Sequence, residues 1–367
     1  MPRAYEYPRY PRSRVDRAGE RIRTSAETPE DLEVIENWRA SHAAVLGSFR
    51  KILYNKARNF AGIHIVQRLK RKPSIVAKLD REPKMRLSRM HDIAGCRVIF
   101  PDLKTLHEFR AEMHSGGYRH QRRGANDDRW NYISKPKPNG YRGIHDVYAY
   151  SAEAKKGRQD EAGLRNGMLI EIQYRTKIQH AWAAAVELAG LVTENNPKFG
   201  RGSQDFIEYF KLSSEMMARE LEGMESCYPN YASIDLTNYL IEADMGTHIT
   251  SIFSELREKE GVVSLNKASL LIFRYDPSSY EEQLEIRSYK SMSTAIKEYG
   301  RLEKSLLDSA DIVLVGSRSG ESIRSAYSNY FLDATEFMSL LGDAEELTDK
   351  RAHEEGWYGP DAVWSAN

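Results

Sequence analysis

The spacing of apolar residues divides the chain into a mixed α/β part followed by a mainly helical part. Apolar residues recur at helical spacing from Thr28 to about Phe60, and short apolar runs then alternate with helical periods up to residue 200. The elements predicted there are strands 63–69, 94–100, 118–122, 144–150 and 168–174, and helices 74–81, 103–114 and 177–191. This order predicts an α/β (α+β) domain with a mixed sheet.

Beyond residue 200 the pattern changes to two helices, 206–221 and 236–256, and then to a small ββαβα run. That run consists of strands 269–275, 283–289 and 311–316, with helices 293–307 and 321–341. We therefore expect five regions: an arm and helix (1–60), the α/β domain (61–200), a helical connector (201–262), a small domain (263–345) and a polar tail (346–367). The Arg-, Tyr- and Pro-rich segment before Thr28 is expected to be extended.

Composition adds an uneven distribution of charge. The net charge is only +1, but residues 1–150 carry 31 Lys and Arg against 17 Asp and Glu, whereas residues 151–367 carry 23 against 36. A basic front half joined to an acidic back half suggests a polyanion site against which the second half can lie, or simply two different solvated surfaces. Two cysteines exclude a disulfide framework and a four-cysteine zinc site. No apolar run approaches the roughly 18 residues of a membrane span, so we expect a cytosolic (cytoplasmic) protein with no membrane partner.

A cluster of cations lies where the first predicted strand leads into a helix. Arg68, Lys70 and Lys78 surround Pro73 and Ser74, residue types that suit a helix start. Cations beside the free N–H groups of a helix N-terminus can bind a triphosphate. The glycines of a P-loop are missing, and taken alone the segment is more typical of a solvated basic surface than of a triphosphate site.

Acidic and polar residues accompany two of the predicted buried strands. Asp92 lies at the entry to strand 94–100, where it can hold Mg²⁺ or simply cap a turn. Glu171, Gln173 and Arg175 alternate with apolar residues, so they share one face of strand 168–174. Polar residues on such a face usually line a cleft, and Glu171 can share the metal ion or accept a proton from a hydroxyl.

A tight turn is predicted at Asn139-Gly140. The turn would present Tyr141 as a flat surface on which a base can stack. Cationic and polar side chains flank it: Lys135, Lys137, Arg142 and His145. A plain hairpin explains the turn but not the lysines.

In this order, the motifs R-x-K-x-x-x-S-I-x-x-K, D-I-A-G-x-R, K-P-K-x-N-G-Y-x-x-x-H and E-I-Q-x-R-T resemble the nucleotidyltransferase-like synthetase domain of the RelA/SpoT family over residues 60–190. The resemblance implies transfer of the β,γ-pyrophosphate of ATP to a ribose 3′-hydroxyl. It implies ATP binding by Arg68, Lys70, Ser74 and Lys78, and Mg²⁺ binding by Asp92 and Glu171, with Glu171 also activating the hydroxyl. The implied acceptor residues are Lys135, Lys137, Asn139, Tyr141, His145, Gln173 and Arg175. Only about 60 residues precede these motifs, so we expect no N-terminal hydrolase domain.

Three segments, Val15–Gly19, Asn37–His42 and Gln179–Glu187, resemble toxic small synthetases. The segment Ala326–Phe331 resembles CapRel-type fused toxin–antitoxin proteins, in which an antitoxin-like pseudo-zinc-finger domain covers the ATP site. This resemblance implies a tRNA CCA end as acceptor, a phage major capsid protein as trigger, and a monomer. The regulatory tyrosines would be Tyr327 and Tyr330, in preference to the second such pair, Tyr228 and Tyr231. Possible tRNA contacts are Arg119, Arg122 and Arg123. Two alternatives stay open: an alarmone synthetase that uses free nucleotides, and a binding module without activity.

Overall fold

The structure is a computed structural model of the 367-residue chain. It describes residues 6–70, 72–124, 128–153, 163–192, 204–250, 268–276, 281–291, 310–316 and 331–357, with a few single residues between 253 and 302. The chain divides into two compact units, the first comprising Met1–Lys135 and Arg142–Lys177, the second Pro136–Tyr141 and Ile178–Asn367. This division falls at Lys177, whereas the sequence suggested a change near residue 200; the five expected regions stay a prediction.

The first unit is built on a five-stranded mixed sheet. Its strands lie in the order β1-β2-β5-β4-β3, and β2 and β5 run parallel while the other neighbours are antiparallel. The bounds are β1 His64–Leu69, β2 Ala94–Phe100, β3 Gln121–Arg123, β4 Ile144–Ala149 and β5 Leu169–Thr176. The predicted mixed-sheet α/β fold is therefore confirmed.

Helices cover one face of this sheet. The long helix α2 (Pro29–Ala57) and α4 (Leu103–Ser115) pack there, and α3 (Lys72–Arg81) connects β1 towards β2. Aromatic side chains fill the contact, with Phe109 of α4 lying 5.3 Å from Phe100 and 6.4 Å from Tyr174 between ring centroids. The opposite face of β5 carries the polar residues that the strand alternation predicted.

The opening segment is not extended throughout, because residues Arg12–Arg23 form helix α1. Val15, Ala18, Gly19 and Ile22 are buried along it, a spacing that repeats every turn of a helix. Five arginines in these twelve residues obscured this narrow apolar stripe. Thr28 caps α2 through a hydrogen bond from the backbone N–H of Asp31, as the sequence indicated.

Packed helices form the core of the second unit. These are α5 (Lys177–Val192), α6 (Gln204–Glu222), α7 (Ser233–Thr247) and α8 (Phe331–Glu354). The predicted helix 236–256 is interrupted: α7 ends at Thr247, where His248 takes a left-handed conformation with φ 54°, and the described residues 249–250 and 253–254 are again helical. The predicted end of the last helix was wrong, because α8 continues to Glu354 instead of ending at 341. The supposed polar tail is thus partly helical, and Ala352 is fully buried.

A three-stranded antiparallel sheet completes the described part of the second unit. Its order is β7-β6-β8, with bounds β6 Ala268–Asp276, β7 Glu281–Tyr289 and β8 Ala310–Gly316. All three strands were predicted. Most of the predicted helix 293–307, the start of helix 321–341, and Tyr327 and Tyr330 lie outside the described residues.

Candidate functional site

Two lysines and one aspartate form an ion-pair cluster where β1 and α3 meet the start of β2. Lys70 Nζ lies 2.8 Å from Asp92 Oδ2, and Lys78 Nζ lies 3.1 Å from Asp92 Oδ1. The backbone N–H of Lys70 donates to the carbonyl oxygen of Ile93 at 2.8 Å, which fixes the strand end beside Asp92. Helix α3 begins at Lys72, two residues earlier than predicted, so Ser74 lies in its first turn.

The register of the sheet aligns Arg68 with Glu171. Arg68 is paired with Gly95 on β2, and Gly95 is paired with Glu171 on β5. Residues directly opposite one another across neighbouring strands project from the same face. Because the middle residue has no side chain, the face is open between the cation and the carboxylate: a Cβ at Gly95 would meet only the Glu171 carbonyl oxygen, at 3.8 Å.

Glu171 is held by its neighbours on the same face. His145 Nδ1 lies 3.2 Å from Glu171 Oε1, and Gln173 Nε2 donates to Glu171 Oε2 at 2.7 Å. Arg175 in turn donates to Gln173 Oε1 at 3.2 Å. The structure therefore places His145, which the resemblance assigned to the acceptor, on the Glu171 carboxylate. Ile170, Ile172 and Tyr174 are buried on the opposite face.

Both carboxylates are kept ionised. Burial alone would raise the pKa of Asp92, but the charges of Lys70 and Lys78 outweigh it, and the pKa is lowered even though Glu171 opposes this. Burial would likewise raise the pKa of Glu171, but the charge and hydrogen bond of His145, the amide of Gln173 and the charge of Lys78 hold it well below its usual value. The two acids are thus negatively charged at neutral pH and close enough to affect each other's titration.

This pair of acids fits a magnesium ion that is bound together with phosphates. No group of three or more His, Cys, Asp or Glu side chains in the described ranges could hold a metal ion by itself. Magnesium, however, commonly binds through one or two carboxylates plus the phosphates of its nucleotide. Asp92 and Glu171 supply two ionised carboxylates of this kind, and Lys70 and Lys78 supply charge for the phosphates.

One contributor to the cluster was missed at the level of the sequence. Arg39 of α2 donates through Nε to the carbonyl oxygen of Lys70 at 2.8 Å, while its Nη1 pairs with Glu36 at 2.7 Å. The first contact holds the backbone from which Lys70 reaches Asp92. In the sequence, Arg39 stood out only as part of the Asn37-Trp38-Arg39 segment, and nothing indicated that it would bind the backbone of Lys70.

The predicted acceptor turn belongs to the second unit as the segment Pro136–Tyr141. The N–H of Gly140 donates to the Lys137 carbonyl oxygen at 2.9 Å, and Gly140 has φ 86°, which confirms the tight turn. Tyr141 is partly buried, and the Nζ atom of Lys137 lies 4.9 Å from the centroid of its ring. Asn139 Oδ1 accepts from the N–H of Tyr141 at 3.2 Å. Lys135, just outside the turn, is exposed and belongs to the first unit.

The arginines considered as tRNA contacts are partly engaged within the first unit. Arg119 pairs with Glu153, and Arg122 lies 3.4 Å from Asp146 and 3.8 Å from Asp128. Arg123 is exposed on β3. Asp146, which is 2% exposed, also binds Arg110, so Arg122 belongs to a structural network of charges.

Residues 67–189 match the model of a family described as a region found in RelA / SpoT proteins. The chain therefore contains a RelA/SpoT domain at these residues, and this family indicates an ATP-dependent pyrophosphotransferase. No curated protein matches the chain significantly. Among the described residues, no helix combines the length and apolar character needed to cross a membrane.

Several solved structures resemble parts of the chain. Small alarmone synthetase 2 from Bacillus subtilis is 21% identical with a TM-score of 0.40, over 49% of this chain and 90% of that one. Small alarmone synthetase 1 from Bacillus subtilis, bound to its product pppGpp, is 20% identical with a TM-score of 0.36, over 50% and 88%. A GTP pyrophosphokinase family protein from Streptococcus pneumoniae is 19% identical with a TM-score of 0.31, over 63% and 96%.

Proposed function

We propose that the protein transfers the β,γ-pyrophosphate of ATP to the 3′-hydroxyl of a ribose. The observation that carries this proposal is the cluster in which Lys70 and Lys78 both bind Asp92, with ionised Glu171 on the neighbouring strand. Pyrophosphoryl transfer needs positioning and neutralisation of charge more than covalent catalysis, and such a cluster supplies both.

The charges assign a role to each side of the cluster. Arg68, Lys70, Ser74 and Lys78 bind the phosphates of ATP, and Asp92 with Glu171 holds Mg²⁺, which when bound neutralises phosphate charge. Lys70 and Lys78, now paired with Asp92, exchange that contact for phosphate oxygens when the nucleotide binds. The acceptor base stacks on Tyr141, next to Lys137 and Asn139 of the same turn. By the resemblance, Lys135, His145, Gln173 and Arg175 of the first unit are also acceptor residues. A base that stacks on the face of the Tyr141 ring covered by Lys137 must displace the Lys137 ammonium group.

The proposed transfer needs no reactant other than ATP and the acceptor. The ribose 3′-oxygen forms a bond to the β-phosphorus, the bond from that phosphorus to the α,β-bridging oxygen breaks, and AMP leaves. Because the pKa of Glu171 is lowered, this carboxylate is a weak base. It is better suited to orient the hydroxyl and to accept its hydrogen bond, while the hydroxyl proton is lost late, to the surrounding water, as expected for a loose transition state.

As the acceptor we propose the CCA end of tRNA, which would stop translation. The basic front half of the chain and the resemblance of the flanking segments support this choice. The second candidate is a free guanine or adenine nucleotide. The pairing of Arg119 with Glu153 and of Arg122 with Asp146 favours it, because these cations are already engaged by carboxylates.

The acceptor can be identified by incubating the purified full chain, alone and with the phage major capsid protein expected as trigger, with ATP labelled at the β-phosphorus. Either total tRNA or GDP, GTP and ATP are supplied as acceptors. Label at the tRNA 3′ end supports the tRNA proposal, and label in nucleotides alone refutes it in favour of the second candidate. Enzymatic removal of the terminal adenosine from the tRNA is the control, since it must abolish labelling if the CCA end is the acceptor.

We further propose that the protein is cytoplasmic and monomeric. Its C-terminal region holds the enzyme inactive, and binding of a phage major capsid protein releases it. This proposal is supported by the acidic back half and by the resemblance around Tyr327 and Tyr330, which lie outside the described residues. Tyr327→Ala should increase toxicity on expression, with Tyr228→Ala testing the other pair. Equal growth of Tyr327→Ala and wild-type cells would contradict the assignment of Tyr327, and a pull-down from phage-infected cells that recovers no capsid protein would contradict the trigger.

A further inference from the structure

The backbone of the acceptor turn is held by helix α6 and by the loop that follows it, residues 223–232. Ser214 Oγ donates to the carbonyl oxygen of Gly140 at 2.6 Å. Cys227 Sγ approaches the carbonyl oxygen of Lys137 at 3.5 Å. The turn, α6 and the loop all belong to the second unit.

The contact from Ser214 acts on the peptide group that joins Gly140 to Tyr141. The carbonyl oxygen of this peptide is bound by Ser214, and its N–H, on Tyr141, is bound by Asn139 Oδ1 at 3.2 Å. When both polar ends of a peptide group are held, the plane of the peptide is fixed. The peptide group after Tyr141 is held too, because the N–H of Lys137 donates to the Tyr141 carbonyl oxygen at 3.1 Å. The direction in which the Tyr141 side chain leaves the backbone is therefore set by these contacts together.

The surroundings of Gly140 leave the turn little room to shift. A Cβ there would lie 2.9 Å from Trp182 Cζ2, 3.0 Å from the carbonyl oxygen of Phe210 and 3.1 Å from Ser214 Cβ. Distances this short between non-bonded heavy atoms are repulsive, so only glycine fits between α5 and α6 at this point. The turn is therefore seated against helices of the second unit.

The loop is itself fixed to α6 by a buried carboxylate. Glu215, which is fully buried, accepts from the N–H groups of Ser226 at 2.7 Å and Tyr228 at 2.9 Å, and its other oxygen binds Arg219 at 3.1 Å. Ser226 Oγ lies 2.9 Å from Ser214 Oγ, so the same serine contacts both the loop and the turn. The loop and the turn are thus connected through one side chain.

We infer that Ser214 is a positioning residue for the acceptor: acting through the Gly140 carbonyl, it fixes the orientation of Tyr141 and so the affinity for the acceptor base. The inference rests on the proposed function, in which Tyr141 stacks that base. The phosphate-binding lysines, Lys70 and Lys78, belong to the other unit. Loss of the Ser214 hydroxyl therefore alters acceptor binding and leaves ATP binding unchanged.

The test compares Ser214→Ala with Ser213→Ala in the full chain, with the phage major capsid protein present so that transfer can be measured. Ser213 is a matched control because it is also buried on α6, but its hydroxyl donates within the helix, to the carbonyl oxygen of Phe210 at 3.2 Å. Loss of the Ser214 contact should raise the KM for the acceptor by about fivefold relative to Ser213→Ala, as expected for one buried hydrogen bond. The KM for ATP should be the same for the two variants, and thermal unfolding curves should show that both are folded at the assay temperature.

The outcomes separate this inference from the proposed function. An acceptor KM that is equal in the two variants, or KM values for acceptor and ATP that rise together, would overturn the positioning role while transfer by the wild type persists. If neither the wild type with the phage major capsid protein present nor the Tyr327→Ala variant transfers label to an acceptor, the proposed function is wrong and the inference falls with it.

Discussion

Replacing Gly95 by valine should remove activity without weakening the fold. Gly95 is the middle residue of the row that runs from Arg68 to Glu171 across the site face of the sheet. A new side chain there would occupy the open space between the cation and the carboxylate.

The magnitude follows from the surroundings of Gly95. A Cβ would have one neighbour within 4 Å, the Glu171 carbonyl oxygen at 3.8 Å, which is an ordinary van der Waals distance. A glycine inside a strand costs roughly 0.5–1 kcal/mol relative to a residue with a side chain. The free energy of unfolding should therefore stay the same or rise by up to about 1 kcal/mol. Displacing a reacting group by about 1 Å can cost about 100-fold in rate, so we expect at least that loss.

The assay measures pyrophosphate transfer and denaturant unfolding of the same preparations. Gly117→Val is the matched control, because Gly117 is exposed after α4 and a Cβ there would meet nothing within 4 Å. Gly95→Val should be inactive and folded, and the control active. A transfer rate within a few-fold of the wild type would show that the reaction does not occur on this face. An unfolded variant would contradict the open space inferred at Gly95.

Two further predictions concern Arg39, which binds the backbone of the ion-pair cluster, and Glu345, whose pKa is raised. Arg39→Ala should raise the KM for ATP about fivefold, the effect of one lost hydrogen bond to Lys70, with the acceptor KM unchanged; steady-state kinetics that show an unaltered ATP KM would contradict this role. Burial, and then the charges of Asp349 and Asp244, raise the pKa of Glu345 to about 7. When the pKa of a carboxyl is higher in the folded than in the unfolded state, the protein loses stability as the pH rises from the lower to the higher value. Glu345→Gln should therefore match the stability of the wild type near pH 4 and exceed it at pH 8 by about 1–3 kcal/mol. Unfolding curves at both pH values measure this, and a difference independent of pH would exclude the mechanism.

The sheet was largely predictable because its strands are short apolar runs flanked by polar residues. Strand β2, Ala94–Phe100, was predicted at the observed residues, and the alternation along β5 correctly assigned Glu171 and Gln173 to one face. Helix α1 was missed because arginines dominate its composition. Its helical state depends on burying Val15 and Ile22 against the rest of the first unit, which local sequence does not reveal.

Which residues contact each other within the site was harder to predict than which residues belong to it. The lysines and Asp92 were assigned to different ligands, ATP and Mg²⁺, whereas the structure binds them to each other. This pairing brings together residues 14 to 22 positions apart across a strand, a helix and a turn, so it depends on tertiary structure. His145 reaches Glu171 because β4 lies beside β5, and strand order is not visible in one sequence.

The central claim is that ionised Asp92 and Glu171, with the lysines beside them, direct a pyrophosphate from ATP to a ribose hydroxyl. The most direct measurement is the amount of AMP released per labelled acceptor formed, in the wild type and in Glu171→Gln with the phage major capsid protein present, and with ATP binding measured in parallel. The account predicts one AMP for each labelled acceptor in the wild type, and neither product in Glu171→Gln although ATP still binds. Release of ADP in place of AMP, or undiminished transfer by Glu171→Gln, would contradict it.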